Sequence, residues 1–175
     1  MSEPFEHMLT GGHPNSLGRT IEVVNTVFAD ETRMLELFEC YQSDDEVVRL
    51  RVSNAMRRVQ GERPDLVLPL MDRLIDEIGQ LDQPSAQWTL PKLFEGAETE
   101  MSGAQKAAAL ALVKRNLAEH EDWIVLNNAI DYLTRLAKFD AALRDWMQPH
   151  LARLQNDSRT SVAKRAVKAL VKLGY

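Results

Sequence analysis

The sequence predicts an all-α protein built from repeated helix pairs, on three observations. Glycine and proline number only 8 and 7 in 175 residues, while alanine, leucine, valine, arginine and glutamate dominate, a balance that favours helix on intrinsic propensity. Apolar residues fall at helical spacing through most of the chain. One apolar pattern, first met between Val48 and Val59, returns 77 and then 114 residues further on, which is how a repeat architecture shows itself in sequence.

Residues 1–14 read as an N-terminal arm and turn. MSEPFEHMLT is acidic and lacks the basic region and long apolar stretch of a signal peptide; TGGHP then turns, with Gly11 and Gly12 supplying backbone freedom. NSLGRTIEVVNTVF sets Leu17, Ile21, Val24 and Phe28 on one face, so it reads as a leading helix with Asn15 or Ser16 as its N-cap. MLELFECY opens the first pair. In SDDEVVRLRVSNAMRRV, Ser43 and Glu46 stand at capping-box spacing, and Val48, Val52, Ala55, Met56 and Val59 share a face.

PDLVLPLMDRLIDEIGQL and QPSAQWTLPKLFEG form a second pair, in which Pro91 is expected to end a short first turn or kink the helix. SGAQKAAALALVKRNLAEHE, with Ser102 and Gln105 at capping-box spacing, leads to Val125, Ala129, Tyr132, Leu133 and Leu136 behind Asp122. FDAALRDWMQPHLARL leads to Val162, Ala166, Ala169, Leu170 and Leu173. An isolated pair of such helices cannot bury its apolar face, whereas stacked neighbours make a continuous core. Residues 15–175 therefore read as a single repeat domain.

The string DDEVVRLRV, with Asp45, Val48 and Arg49, resembles the HEAT-repeat pattern in which an acidic cap, a valine and an arginine open the second helix of each pair. The last repeat has Asp157 and Val162 but Ala163 where arginine is expected, and the second repeat departs most. The resemblance covers roughly residues 15–173. It implies a short right-handed α-solenoid of about four HEAT-like helix pairs plus a leading N-terminal helix, with first helices toward the convex side and second helices toward the concave side.

Net charge of −5 argues against a general nucleic-acid binder. Residues 1–100 hold 19 acidic and 9 basic side chains and residues 101–175 hold 7 and 12, so the two parts carry −10 and +5. Such polarity suits partners at either end, or head-to-tail self-association of copies. The single Cys40, inside LELFECY, makes no intramolecular disulfide and reads as a packing residue. The longest apolar run, AAALALV, is far too short to span a bilayer, so no membrane partner and a cytoplasmic location are expected.

His7, His13, His120 and His150 are scattered, without HExxH spacing or a cysteine pair, so neither metal nor other cofactor is expected. His120-Glu121 is similar to the His-Glu steps by which the HEAT-repeat deoxyhypusine hydroxylases hold iron, but those enzymes need several steps and one is present. No serine or cysteine has an obvious local base, and no catalytic residue is assigned. A functional reading of the opening turn has it hold an anion at a helix N-terminus, helped by His13 and Arg19. It lacks the glycine spacings of nucleotide loops.

Opposite the buried stripes lie Arg19 and Glu22, then Glu46, Leu50, Asn54 and Arg57, then Trp123, Asn127 and Asp131, and last Lys164 and Lys168. A mixed surface with an aromatic anchor and arginines is the composition that carries binding energy at interfaces. The leading expectation is a non-catalytic adaptor or scaffold that binds another protein through Arg19, Glu22, Asn54, Arg57, Trp123, Asn127 and Asp131. Trp123 fits a core position equally well, and Trp88 and Trp146 read as packing.

The alternative is a nucleic-acid-binding or alkylbase DNA glycosylase-like repair protein. Similarity to the alkylpurine glycosylases built of HEAT-like repeats implies roles for Trp123, Asp131, Arg135 and Arg165. Lys164, Lys168 and Lys172 form one stripe suited to phosphates. The acidic first half would repel a duplex laid along the chain. A third class, suggested by the HEAT-like repeats of phycobilin lyases, is selected by no residue here.

Overall fold

A computed structural model describes residues 2–175, all helix, turn and connecting chain, with no strand among the described residues. The chain divides into two compact units, one ending at Ser102 and the other running from Gly103 to Tyr175. No helix among the described residues is long and apolar enough to cross a membrane.

The first unit begins with α1 (Phe5–Leu9), where an arm was expected. Phe5 and Leu9 are fully buried. The segment is held by more than apolar area: Phe5 N donates to Glu36 Oε1 (2.8 Å), and the Arg33 guanidinium lies 3.8 Å from the Phe5 ring centroid while ion-pairing with Glu36 (2.7 Å). After α2 (Thr20–Ala29), a 3-10 turn at Glu31–Arg33 leads into α3 (Met34–Glu39), and a second at Cys40–Gln42 leads out of it. Cys40 is buried, and burial pushes its thiol up to about 12, which leaves it a packing residue with no thiolate character.

The helix that carries the HEAT-like string is α4 (Glu46–Glu62). Val48, Val52, Ala55, Met56 and Val59 are all fully buried, as their spacing demands. Its cap is not the expected Ser43: Asp45 Oδ1 accepts from Val47 N (2.8 Å), and Ser43 Oγ accepts from Asp45 N instead. A carboxylate two residues before the exposed N–H groups meets the helix dipole better than a hydroxyl placed outside the first turn.

The stretch expected as the first helix of the next pair is broken into α5 (Pro64–Val67), a 3-10 turn at Leu68–Leu70 and α6 (Met71–Asp76), followed by another turn at Ile78–Gln80. Pro69 is the cause, because a proline removes a donor and collides with the preceding turn. By contrast α7 (Pro84–Gly96) runs on through Pro91, so proline does not end a first turn there. The flanking Leu90, Leu93 and Phe94 are fully buried, and Gln60 Nε2 of α4 donates to Leu93 O (2.7 Å). At Gly96 a Cβ would stand 2.7 Å from Gln60 Oε1, so glycine sets how closely α7 meets α4. Neighbouring second helices α2, α4 and α7 pack in that order.

The second unit has four helices: α8 (Gly103–Glu119), α9 (Trp123–Ala137), α10 (Ala141–Leu154) and α11 (Thr160–Leu173). Asp122 caps α9, accepting from Ile124 N and Val125 N, and Asp140 caps α10, accepting from Leu143 N. Val125, Ala129, Tyr132 and Leu133 are buried on α9, and Val162, Ala166, Ala169 and Leu173 on α11; Leu136 and Leu170 are only partly covered. α9 packs against α8, α10 and α11, which makes it the central helix of this unit.

Candidate functional site

The opening stretch is built around an arginine of α4. Helix α2 starts at Thr20, so neither Asn15 nor Ser16 caps it. Leu17 and Ile21, expected in the core, are 40% and 42% exposed, and the buried residues of α2 are Thr20, Val23, Val24 and Val27. The face is displaced because residues 11–19 are turn and not helix. Carbonyls of residues 9–16 converge on Arg51, which is 1% exposed. Arg51 Nη1 donates to Leu9 O (2.6 Å), Thr10 O (3.2 Å) and Gly11 O (2.7 Å), Nη2 to His13 O (3.3 Å) and Nε to Ser16 O (3.1 Å).

A buried guanidinium is tolerated only when its donors are met, and five carbonyls meet them here. Gly18, at φ +52°, has no room for more: a Cβ would lie 2.8 Å from Arg51 Cζ. The turn's interior thus already holds a cation of this chain, and its carbonyls present negative ends to that space. His13 stands at the surface, with Nδ1 accepting from Asn15 N (3.1 Å).

The remaining outward residues of the first unit are closed off by neighbours to different degrees. Arg19 is held by Glu22 (2.7 Å) and Glu3 (2.9 Å), and the hydrogen bonds from Arg19 hold the Glu22 carboxyl below its ordinary range. Asn54 Oδ1 accepts from Arg58 Nε (2.7 Å), and Arg57 is exposed. Trp88 is half-buried beside Leu50 and Pro14 in an apolar hollow of about 220 Å³.

In the second unit Trp123 is 47% exposed, so it is not a core residue. Asn127, expected to face outward, is 5% exposed because α11 covers it, and its Nδ2 reaches Ser161 Oγ at 3.4 Å. Trp146 packs under Lys114 Nζ (4.4 Å to the ring centroid) and beside His150, whose imidazole is lowered by burial and then by Arg153 and Lys114.

One constellation does assemble. Asp131, Arg135 and Lys138 follow each other at i, i+4 and i+7 on α9 and its end, so they share a face. Across from them α11 presents Arg165, Lys168 and Lys172, and together they line a hollow of about 380 Å³. Lys164 and Ser161 line an adjoining one of about 390 Å³. Asp131 accepts from Arg165 in an ion pair. Lys138, Lys164, Lys168 and Lys172 make no ion pair among the described residues.

The wall of the hollow also holds Thr134, 6% exposed, whose Oγ1 is buried without a hydrogen-bond partner. An unmet buried hydroxyl costs about 1–3 kcal/mol. Sequence reasoning found Asp131, Arg135, Arg165 and the three α11 lysines but missed Thr134 and Lys138. The i, i+4, i+7 spacing from Asp131 was the available signal for Lys138.

The groove offers an array of cations and the hydroxyl-bearing Thr134. No group of histidine, cysteine and carboxylate side chains that could hold a metal exists among the described residues. In comparisons with known proteins, no family model matches the chain and no curated protein matches it.

Proposed function

We propose that the helix pairs are HEAT-like repeats of a short right-handed α-solenoid, and that the chain is a non-catalytic adaptor which binds an acidic segment of a partner protein in the groove between α9 and α11. The groove carries this reading: five cations around one hollow, balanced by a single carboxylate that is already paired. Clefts lined by one sign of charge concentrate oppositely charged partners and speed their arrival.

Support for the repeat reading comes from spacing. The second helices begin at Glu46, Pro84, Trp123 and Thr160, separated by 38, 39 and 37 residues. Within each unit, hydrogen bonds join residues about one repeat apart, such as Arg49 to Gln83, Gln60 to Leu93, Arg153 to Leu117 and Arg159 to Glu121. Contacts confined to the adjacent repeat are the physical mark of a solenoid.

A second reading, nucleic-acid binding, is favoured by one observation: Lys164, Lys168 and Lys172 stand one turn apart along α11, at intervals of about 6 Å. The net charge of −5 weighs against it.

Fluorescence anisotropy of a dye-labelled, glutamate-rich dodecapeptide with the full chain tests the proposal. Saturable binding should weaken as salt rises, vanish in Lys168→Glu/Lys172→Glu and survive Arg57→Ala. Equal binding by the double variant overturns the site. An oligonucleotide that displaces the peptide at lower concentration than unlabelled peptide transfers the function to the second reading.

A further inference from the structure

We infer that the anion recognised in the α9–α11 groove is a phosphate monoester, carried by a serine or threonine of the partner segment; this rests on the reading of the groove as an anionic-partner site. Its cations surround one hollow from two sides, with Arg135 and Lys138 on α9 and Arg165, Lys168 and Lys172 on α11. Asp131 offsets one of them through its pair with Arg165, and Lys138, Lys168 and Lys172 form no ion pair among the described residues. A carboxylate brings one charge and two oxygens to such a site. A phosphoserine brings nearly two charges and three acceptor oxygens, which matches both the charge excess and the number of donors.

Thr134 adds a neutral donor. Its Oγ1 is buried in the groove wall with no hydrogen-bond partner among the described residues, and a phosphate oxygen seated among the cations would provide one. The volume of about 380 Å³ lies in the range of sites that enclose a compact group.

Charge also decides against a nucleic-acid strand as the source of the phosphate. A local dianion feels chiefly charges within about 8–10 Å, the screening length at physiological salt, and those are the groove cations. A polyanion is also disfavoured by the chain's net charge of −5.

The test uses the full chain and a dye-labelled Gly-Ser dodecapeptide bearing a single phosphoserine, with its serine and glutamate versions and an oligothymidylate of similar length. The phosphopeptide should bind about tenfold or more tighter than the glutamate version, a difference of one decade in Kd. Inorganic phosphate should displace it. Affinity should fall as pH drops through about 6, where the phosphate takes up its second proton; the groove walls present Asp131, Arg135, Lys138, Arg165, Lys168 and Lys172, with Lys164 alongside, and no histidine.

Lys168→Ala/Lys172→Ala should abolish the preference with helicity unchanged, and the near-isosteric Thr134→Val should weaken the phosphopeptide several-fold while leaving the glutamate peptide as it was. Equal affinity for phosphoserine and glutamate peptides overturns the inference but leaves the acidic-segment reading standing. Failure to bind any of the peptides overturns both, and tighter binding of the oligothymidylate overturns both in favour of nucleic acid.

Discussion

In the first unit, Arg51 turns Nε and both Nη groups to carbonyls of the chain's own opening stretch; in the second, Lys138, Lys168 and Lys172 form no ion pair among the described residues. The same positive charge therefore serves two ends. Where acceptors are supplied from within, the cation becomes a structural bolt, and removing it exposes unmet carbonyls and empties a buried volume. Where they are not supplied, the cations repel one another and remain available to something outside. The opening loop is filled from within by Arg51, and the lysines of α11 face a hollow instead.

The largest expected effect falls on the bolt. Arg51→Met should cost about 3–5 kcal/mol, the range for breaking a buried charged network by removing one partner, measured by chemical denaturation. Arg51→Lys should recover only part of it, since an ammonium cannot fork toward five carbonyls. If Arg51→Met is as stable as the parent chain, the loop is held by other forces and the contrast with the groove collapses.

Gly18→Ala should come next, at about 2 kcal/mol, from the left-handed backbone and from the displacement of Arg51 by the new Cβ. Combined with Arg51→Met, the loss should be less than the sum of the two, because one of its causes has gone. Additive losses would show that Gly18 acts through its backbone alone.

An intermediate case lies at the entrance of α11, where Asp157 accepts from Arg159 Nη2 (2.8 Å) and from Arg159 N (2.8 Å). The Arg159 side chain first, and its backbone N–H second, pull the Asp157 carboxyl down to about 2. A lowered carboxylate contributes stability above its unfolded pKa of about 4 and loses it as pH falls through the folded value. Stability should therefore decline between about pH 4 and 2. Asp157→Asn should remove about 1 kcal/mol at neutral pH, discounted for the partial exposure of Arg159, and flatten that acid limb. An unchanged limb would mean that other carboxylates set it.

The smallest stability effect belongs to the groove. Lys168→Ser/Lys172→Ser should change unfolding free energy by no more than about 0.5 kcal/mol while anion capture is lost. A gain in stability would sharpen the comparison, since it would measure the mutual repulsion of cations left without partners.

Much of the helical frame was legible. The buried stripes of α4, α9 and α11 follow largely from spacing, and Asp122 caps the helix it precedes. Pro69 was overlooked inside an otherwise periodic segment, although it breaks the helix while Pro91 does not. Arg51 stands three residues after Val48 and four before Ala55, on the buried face, yet an arginine there reads as an exception until its partners are known. Those partners lie 35 to 42 residues earlier in the chain, beyond any local pattern. For the same reason Leu17 and Ile21 were assigned to a helical face that the turn around Arg51 prevents from forming.

What the sequence determined by itself is periodic: helix content, the order and spacing of the pairs, and the apolar faces of α4, α9 and α11, all of which arise from interactions within a few residues. Tertiary structure decided which polar groups satisfy one another. Hydrogen bonds and ion pairs act over about 3 Å between side chains that the chain brings together from one repeat away. Only the packed structure could show that the arginine beneath the opening loop is already matched, while Lys138, Lys168 and Lys172 beside the α9–α11 hollow form no ion pair among the described residues.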